Sequence, residues 1–167
     1  MRNVILNVAI SYDGYISRED GTVDFLGNPD LITDDLLVSF LKNIDVVIMG
    51  RTTYDQYNRY GWDYLNGKRI IVLSSKAGDS DQVEFYNGDV VELVKSLDCG
   101  IWCFGGGKVI KAFLDADLID VFHITTMPTI IGRGIRLFEP GDYSYKLELI
   151  STEEMGSMVT HKYKVKK

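Results

Sequence analysis

A glycine-rich stretch near the middle of the chain has the composition of an anion-binding turn. Gly105, Gly106 and Gly107 follow a short apolar run at residues 101–104 and precede Lys108. Apolar residues then recur at helical spacing, at Val109, Ile110, Phe113 and Leu114. A strand, a glycine turn and a helix start together expose free backbone N–H groups and the positive end of a helix dipole, which favour a phosphate. The same stretch is equally consistent with a tight turn that binds no ligand.

Two named phosphate motifs are excluded by the spacing of these residues. A dinucleotide fingerprint needs glycine at its first, third and sixth positions, and the sixth position counted from Gly105 is Ile110. A P-loop places serine or threonine after its lysine, whereas Lys108 is followed by Val109. A phosphate site at this turn therefore needs residues from elsewhere in the chain.

Two further segments carry phosphate-binding side chains directly after apolar runs. Gly50-Arg51-Thr52-Thr53 follows the run at residues 46–49, and Ser74-Ser75-Lys76 follows Arg69–Leu73. In an open α/β sheet, ligands bind outside the carboxyl ends of the strands, so these segments and residues 105–108 are expected to converge on one polyanion. Each segment alone could be an N-cap, a solvated charge or a plain turn. Their recurrence at three strand ends favours the functional interpretation.

The elements that would position these segments alternate between strand and helix patterns. Residues 4–10 and Val121–Thr126 are apolar and predict two more strands, while residues 17–30 are polar and predict a loop. A helix is expected to begin after Thr33 as its N-cap, with an apolar stripe at Leu36, Leu37, Phe40, Leu41 and Ile44.

The last third of the chain predicts an antiparallel edge. Residues 145–150 and 157–165 alternate apolar and polar side chains, as paired antiparallel strands do. Residues 90–97 fit the strand and helix periods equally poorly, so their type stays open. We therefore predict one α/β domain over residues 1–167, with a mostly parallel sheet and an antiparallel C-terminal edge.

Composition and charge argue against several classes of partner. A hydrophobic content of 46% and 25% charged residues are those of an ordinary globular domain. The net charge of −6 argues against a nucleic acid or an anionic membrane surface as a partner. No apolar run reaches the about 18 residues of a membrane span, and the N-terminus lacks a signal-peptide pattern. We expect a cytoplasmic protein.

The cysteines and histidines predict neither a disulfide nor a metal site. Cys99 and Cys103 would lie about 13 Å apart along an extended strand, which is beyond the reach of a disulfide. Two cysteines without a histidine cluster do not make a zinc site. His123 and His161 are interpreted as surface or packing residues.

The three strand-end segments, taken together, resemble the dinucleotide-contacting segments of the dihydrofolate reductase superfamily. The resemblance rests on residues 49–54, 73–75 and 105–109 and extends over nearly the whole chain. Residues 11–16 and 128–138 are similar to the reductase domain of bifunctional riboflavin-biosynthesis enzymes, a branch often found as a stand-alone reductase. The resemblance implies a three-layer dihydrofolate reductase-like fold, with helices on both faces of the sheet.

NADPH is the cofactor that this resemblance implies. Its 2′-phosphate would be bound by Arg51, Ser74 and Ser75, with Lys76 as an addition. Its pyrophosphate would be bound by Thr52, Thr53, Gly106, Gly107, Lys108 and Val109, and the same cofactor site includes Gly50 and Gly105. Ala9 and Ile10 would face the nicotinamide, and the peptide between Gly105 and Gly106 would be cis. The implied chemistry is hydride transfer to a C=N or C=O bond of a flat heterocycle.

Substrate contacts are expected at Asp13, Asp34 and Thr125. Asp34 falls where dihydrofolate reductases carry one acid, on the helix before the Met-Gly-Arg segment, which would make it catalytic. An aspartate in a first helical turn also stabilises the helix dipole without any ligand, so both interpretations stay open. The riboflavin reductases instead carry Trp-Ile-Thr followed by an arginine. Here Leu31-Ile32-Thr33 is followed by two aspartates, which puts a phosphoribosyl substrate in doubt.

The sequence thus predicts an NADPH-dependent reductase of a pyrimidine or pteridine, similar to 5-amino-6-(5-phosphoribosylamino)uracil reductase. One alternative is dihydrofolate reduction proper, and another is a nucleotide-binding module without catalysis. The expected partner is a small heterocyclic substrate, with no metal, nucleic acid or membrane. A homodimer is expected from the resemblance alone.

Overall fold

The computed structural model describes residues 1–27 and 34–167, and only the backbone of Asp34 and Tyr60. The strands are β1 Asn3–Ile10, β2 Tyr15–Ser17, β3 Val46–Gly50, β4 Arg69–Leu73, β5 Glu84–Tyr86, β6 Gly100–Gly105, β7 Val121–Thr126, β8 Ile135–Arg136, β9 Leu147–Met155 and β10 Met158–Val165. The α-helices are α1 Asp34–Leu41, α2 Arg51–Tyr57, α3 Val90–Ser96 and α4 Gly107–Asp115. Short 3-10 turns occur at Asp24–Leu26, Asn58–Tyr60 and Asp63–Leu65.

One large sheet organises the chain. Its eight strands lie in the order β5-β4-β3-β6-β1-β7-β10-β9. The strands from β5 to β7 are mutually parallel, whereas β10 runs antiparallel to β7 and β9 antiparallel to β10. Strands β2 and β8 form a separate antiparallel ribbon. The predicted mostly parallel sheet with an antiparallel C-terminal edge is confirmed.

Apolar side chains pack on both faces of this sheet. On one face, Phe113 and Leu114 of α4 are buried in a cluster that includes Val4 and Phe122. On the other face, Leu41 of α1 is buried in a second cluster with residues of α2, β3 and β4. Every residue from Val46 to Met49 is buried, as expected of a central strand covered by helices on both sides. The predicted three-layer arrangement is therefore confirmed.

Most of the predicted elements lie where the sequence pattern indicated. Strands β4 and β7 have the predicted bounds, and residues 90–97 resolve into α3, whose N-cap Asp89 accepts hydrogen bonds from Val91 N and Glu92 N. Strands β2, β5 and β8 were not predicted, because three residues or fewer are too short to show a period.

Two local expectations were wrong. Ser17 belongs to β2 and residues 24–26 form a 3-10 turn, so these parts of the predicted loop are regular, while its residues 28–30 lie outside the described residues. Leu36 is 47% exposed, because α1 packs on the sheet through Leu37, Phe40 and Leu41 instead. The predicted N-cap Thr33 and the segment Leu31-Ile32-Thr33 lie outside the described residues.

Two features bear on the expected surroundings of the protein. No helix in residues 1–27 and 34–167 is long and apolar enough to cross a membrane. Cys99 and Cys103 are both free thiols. Burial raises the pKa of Cys103, so this thiol is protonated and unreactive at neutral pH.

Candidate active site

The three predicted phosphate-binding segments follow neighbouring strands. Strand β3 lies between β4 and β6, with Gly50 opposite Leu73 and Met49 opposite Gly105. Because the three strands are parallel neighbours, residues 50–53, 74–76 and 105–109 all lie at the carboxyl end of the sheet, next to one another. We call these three segments together the cradle.

Two helices begin in the cradle without a side-chain cap. Gly50 and Gly106 are the N-caps of α2 and α4, and neither helix start receives a capping hydrogen bond from a described side chain. In contrast, Asp89 caps α3 with bonds of 2.7 and 2.9 Å to two amides. The first N–H groups of α2 and α4 are thus available to an external acceptor, which is the usual arrangement at an anion site.

Glycine permits a close approach of the two loops in the cradle. A Cβ atom on Gly106 would lie 3.1 Å from Thr53 Oγ1, and one on Gly50 would lie 3.1 Å from Val109 Cγ2. The peptide between Gly105 and Gly106 is cis, as the resemblance implied. Between the two helix starts, the cradle therefore consists of glycine backbone next to the Thr53 hydroxyl.

Arg51 is the main cation of the cradle, and its guanidinium is held on several sides. Nε donates to Asp55 Oδ1 at 2.9 Å, and Cζ lies 5.1 Å from the ring centre of Phe85 and 6.0 Å from that of Tyr54. Nη1 is buried and has no hydrogen-bond partner among the described residues. A buried donor without an acceptor is energetically costly, so Arg51 is placed to receive an anion.

The turn after β4 forms the outer side of the cradle. Ser74 Oγ accepts the N–H of Lys76 at 3.1 Å and donates to the Lys76 carbonyl at 2.8 Å, which closes the turn. Ser75 and Lys76 are exposed. The turn borders a depression of about 440 Å³ whose other side includes Phe85 and Asn87. Ser74 thus shapes the turn, while Ser75 and Lys76 face solvent.

Asp13 holds a loop beside the end of β1. Its oxygens accept the N–H groups of Ile131 and Gly132 at 3.2 and 2.8 Å. Desolvation raises the pKa of Asp13, but hydrogen bonds from Ser11 and from these two amides outweigh it and lower the pKa below its ordinary value. Asp13 therefore has a clear structural role, and its contact with a substrate stays a prediction.

The other residues assigned to the nicotinamide and substrate end lie on β1, β7 and α1. Ala9 and Ile10 end β1 and are half-buried. Thr125 of β7 shares a hydrogen bond of 2.7 Å with Thr160 of β10. Asp34 begins α1, but its side chain lies outside the described residues, so its catalytic role stays a prediction.

Four aromatic rings form a second feature near the cradle, which the sequence analysis did not single out. Phe40 contacts Trp102 with ring centres 5.0 Å apart, Trp102 contacts Phe104 at 4.7 Å, and Phe104 contacts Tyr57 at 6.2 Å. The two outer rings come from α1 and α2, and the two inner rings from β6. We call this set the aromatic slot.

The aromatic slot is partly open and fixed in place. Phe40, Tyr57 and Phe104 are half-buried, whereas Trp102 is 7% exposed. Trp102 Nε1 donates to the Asn7 carbonyl at 3.1 Å, which ties the slot to β1. Half-buried rings from two helices and a strand can receive a flat conjugated ligand by stacked or edge contacts. In sequence these residues are indistinguishable from core positions, because three separate elements supply them.

A match to a known family model covers nearly the whole chain. The model described as the RibD C-terminal domain matches residues 2–161. The chain belongs to the RibD C-terminal domain family. Among its relatives, uncharacterized protein YwjB of Bacillus subtilis (strain 168) is 31% identical over 169 residues, which cover 97% of each chain.

Solved structures agree with this membership in the RibD C-terminal domain family. A putative riboflavin biosynthesis protein from Shewanella sp. PV-4 is 29% identical, with a TM-score of 0.84 and full coverage of both chains. Dihydrofolate reductase from Enterococcus faecalis, solved in complex with NADP(H), has a TM-score of 0.70 at 19% identity, covering 100% of this chain and 97% of that one. At that identity the likeness concerns the fold, and the dihydrofolate reductase-like fold is confirmed.

The remaining titratable groups of this RibD C-terminal domain include two histidines. No cluster of three or more metal-ligating side chains occurs in the part of the chain that the structure describes. His123 lies 5.8 Å from Phe40 between ring centres, at the end of the aromatic slot. Desolvation, with a smaller effect of Lys162, lowers the pKa of His123 to about 4. His123 is thus a neutral packing residue, and His161 stacks on Tyr163.

Proposed function

We propose that this chain is an NADPH-dependent reductase that transfers a hydride to a flat pyrimidine or pteridine ring. Membership in the RibD C-terminal domain family supports the reductase class, and so does a pyrimidine reductase-like protein from Corynebacterium diphtheriae, which has a TM-score of 0.73 at 17% identity. The observation that carries the choice of cofactor is the buried Nη1 of Arg51, which has no acceptor among the described residues. The proposal includes a cytoplasmic location and a homodimer, both by resemblance to related reductases.

The residues of the cradle fit a phosphorylated dinucleotide. In this proposal Arg51 binds the 2′-phosphate, with Ser75 and Lys76 beside it, because a guanidinium and an ammonium make charge-assisted hydrogen bonds to phosphate oxygens. The uncapped amides of α2 and α4 bind the pyrophosphate, and the missing Cβ atoms of Gly50 and Gly106 leave room for it. NADPH supplies a hydride when it is bound.

The aromatic slot fits the substrate side of the same proposal. Phe104 directly precedes the cradle residue Gly105, so a ring bound in the slot lies next to the cofactor site. The aromatic side chains orient a planar heterocycle and exclude water from it, which favours transfer between two bound molecules. Asp34 is assigned to hydrogen-bond the ring or deliver a proton, because reduction of a C=N bond requires a proton at nitrogen.

Equilibrium binding of the two nicotinamide cofactors tests the proposal. We expect NADPH to bind at least about tenfold more tightly than NADH, which corresponds to about 1.4 kcal/mol for the arginine–phosphate interaction. Arg51→Ala should remove most of that preference while leaving NADH affinity nearly unchanged. Isothermal titration calorimetry measures both dissociation constants.

Arg69→Ala is the matched control for this experiment. Arg69 begins β4, at the opposite end of the strand from the cradle, and is paired with Glu84 at 2.6 Å. The control variant removes the same charge and should keep the wild-type preference for NADPH. Equal affinity of the wild-type protein for the two cofactors would overturn the assignment of NADPH.

A further inference from the structure

Phe85 forms the surface on which the Arg51 guanidinium lies. The side chain comes from β5, a three-residue strand paired in parallel with β4, and Phe85 is opposite Val72. Arg51 Cζ is 5.1 Å from the ring centre of Phe85. The same ring lines the depression bordered by the turn at residues 74–76. Phe85 thus contacts the cation of the cradle and also lines the cavity next to it.

The position of the Phe85 ring is itself tightly fixed. Tyr54 contacts it edge-on, with ring centres 5.4 Å apart and an interplanar angle of 89°. A Cβ atom on Gly78 would collide with Phe85 Cζ, so the outer edge of the ring rests against the Gly78 backbone. A ring held by the strand, by Tyr54 and by Gly78 presents one defined face to the guanidinium.

We propose that Phe85 is a positioning residue for the selection of NADPH over NADH, acting through Arg51. This inference rests on the proposed function, because it assigns to Phe85 the orientation of Arg51, the arginine that binds the 2′-phosphate in that proposal. The guanidinium lies on the Phe85 ring, and its Nη1 is held out of solvent with no hydrogen-bond partner among the described residues.

Competition from Asp55 explains why such a surface is needed. Asp55 lies one helical turn beyond Arg51 and already accepts its Nε at 2.9 Å. Both side chains are partly exposed, so this ion pair alone restrains the guanidinium weakly. An arginine side chain has several rotatable bonds, and a bidentate pair with Asp55 would occupy the donors needed by a phosphate. The ring contact disfavours that alternative.

Removing the ring tests the proposal through the ratio of two dissociation constants. Phe85→Leu should weaken NADPH binding by about threefold to fivefold and leave NADH binding within about twofold, because one cation–π contact is lost. Adenosine 2′,5′-bisphosphate and AMP, used as probes without a nicotinamide, should show the same difference. Tyr86→Leu is the matched control, since it removes a neighbouring ring of β5 whose hydroxyl instead donates to the Asp89 carbonyl at 3.2 Å.

A second pair of variants separates positioning from general stability. In an Arg51→Ala background, Phe85→Leu should not change the NADPH-to-NADH ratio further, because Phe85 acts only through that arginine. Gly78→Ala should lower the ratio as Phe85→Leu does, since its methyl group displaces the ring, and it serves if Phe85→Leu does not fold.

The outcomes distinguish this proposal from the proposed function. If the wild-type protein does not discriminate between the cofactors, the assignment of NADPH fails. If it discriminates and the variant Phe85→Leu or Gly78→Ala keeps the full ratio, the positioning role of Phe85 fails alone. An equal loss of affinity for both cofactors in a folded variant would also overturn that role, because it would show a structural effect only.

Discussion

The cradle and the aromatic slot lie side by side but present opposite chemistry to a ligand. The cradle offers a buried guanidinium N–H without an acceptor and two helix starts without a side-chain cap, within the described residues. The slot offers three half-buried rings and the buried ring of Trp102, whose centre is 4.7 Å from that of Phe104. In the proposed function the cradle would bind a negative charge, an interaction that salt screens, while the slot would bind a flat apolar ring, an interaction that salt affects little.

The start of α3 differs from the two helix starts of the cradle because it has a side-chain cap. There Asp89 supplies its own carboxylate to the first amides of the helix, so no external anion is needed. The starts of α2 and α4 carry glycine at the same position. In the proposed function, a bound anion would take the place of the side-chain cap that no described residue provides at these two helix starts.

The largest expected effect concerns Asp34, which would add one catalytic charge to the slot side of this comparison. Asp34→Asn keeps the size of the side chain but removes its charge. If Asp34 delivers a proton or binds a ring N–H, turnover should fall by about 10²-fold or more, with NADPH affinity nearly unchanged. Steady-state kinetics with a panel of pteridines and aminouracils, together with cofactor titrations, measure both quantities.

Asp35→Asn is the control for Asp34→Asn. Asp35 is the neighbouring exposed acid of the same helical turn, and its loss should affect only the helix dipole. If Asp34, like Asp35, only stabilises the helix dipole, both variants should lose about 0.3–1 kcal/mol of stability and keep full turnover. A fully active Asp34→Asn enzyme would remove the main argument for folate-like chemistry.

The cradle and the aromatic slot also differ in how far they could be predicted. The cradle consists of consecutive residues at three strand ends, so local motifs such as residues 50–53 reveal it, and parallel strand order brings the motifs together. The slot joins Phe40, Tyr57 and β6, whose spacing in the sequence carries no sign of their contact. Phe85 was missed because β5 is only three residues long, which is too short to show a period in the sequence.

The next largest effect is expected at Gly106, and its measurement tests whether the cradle binds the pyrophosphate that NADPH and NADH share. Gly106→Ala would place a methyl group 3.1 Å from Thr53 Oγ1, in the space assigned to the pyrophosphate. Both cofactors should lose about tenfold in affinity, equivalent to about 1.4 kcal/mol, and their ratio should not change. Calorimetric titration of both cofactors measures this. A changed ratio would mean that Gly106 lies near the 2′-phosphate instead.

A smaller effect is expected in the slot. Phe104→Leu removes one ring and should weaken binding of pterin, used as a flat probe in the presence of NADP⁺, by about fivefold. NADPH affinity should stay within about twofold. Quenching of Trp102 fluorescence reports the binding, in a Trp62→Phe background that leaves Trp102 as the single tryptophan.

Phe138→Leu is the matched control for Phe104→Leu. Phe138 is 45% exposed and contacts Phe122, which belongs to the core on the opposite face of the sheet. This variant should bind pterin as the parent does. Equal pterin affinity in Phe104→Leu and Phe138→Leu would show that the slot does not bind the ring.

The smallest expected effect is on stability, and it tests how well the far end of the slot is shielded from water. Desolvation and, to a smaller extent, Lys162 lower the pKa of His123 to about 4, while Glu153 acts in the opposite direction. In the unfolded chain the pKa of a histidine is about 6.5. Between these two values the unfolded state binds more protons than the folded state, so the free energy of unfolding should fall as the pH is lowered from about 6.5 to 4.

A variant without the titrating ring isolates this contribution. Between pH 7 and pH 5, the wild-type protein should lose about 1 kcal/mol more stability than His123→Gln, a figure that allows for the partial exposure of the ring. Urea denaturation at a series of pH values measures the difference. Carboxyl groups with a lowered pKa, such as Asp24 and Glu84, lose their contributions in both proteins and cancel in the comparison. Parallel pH curves for the two proteins would show that His123 is well solvated, and the slot would then be as wet at that end as the cradle.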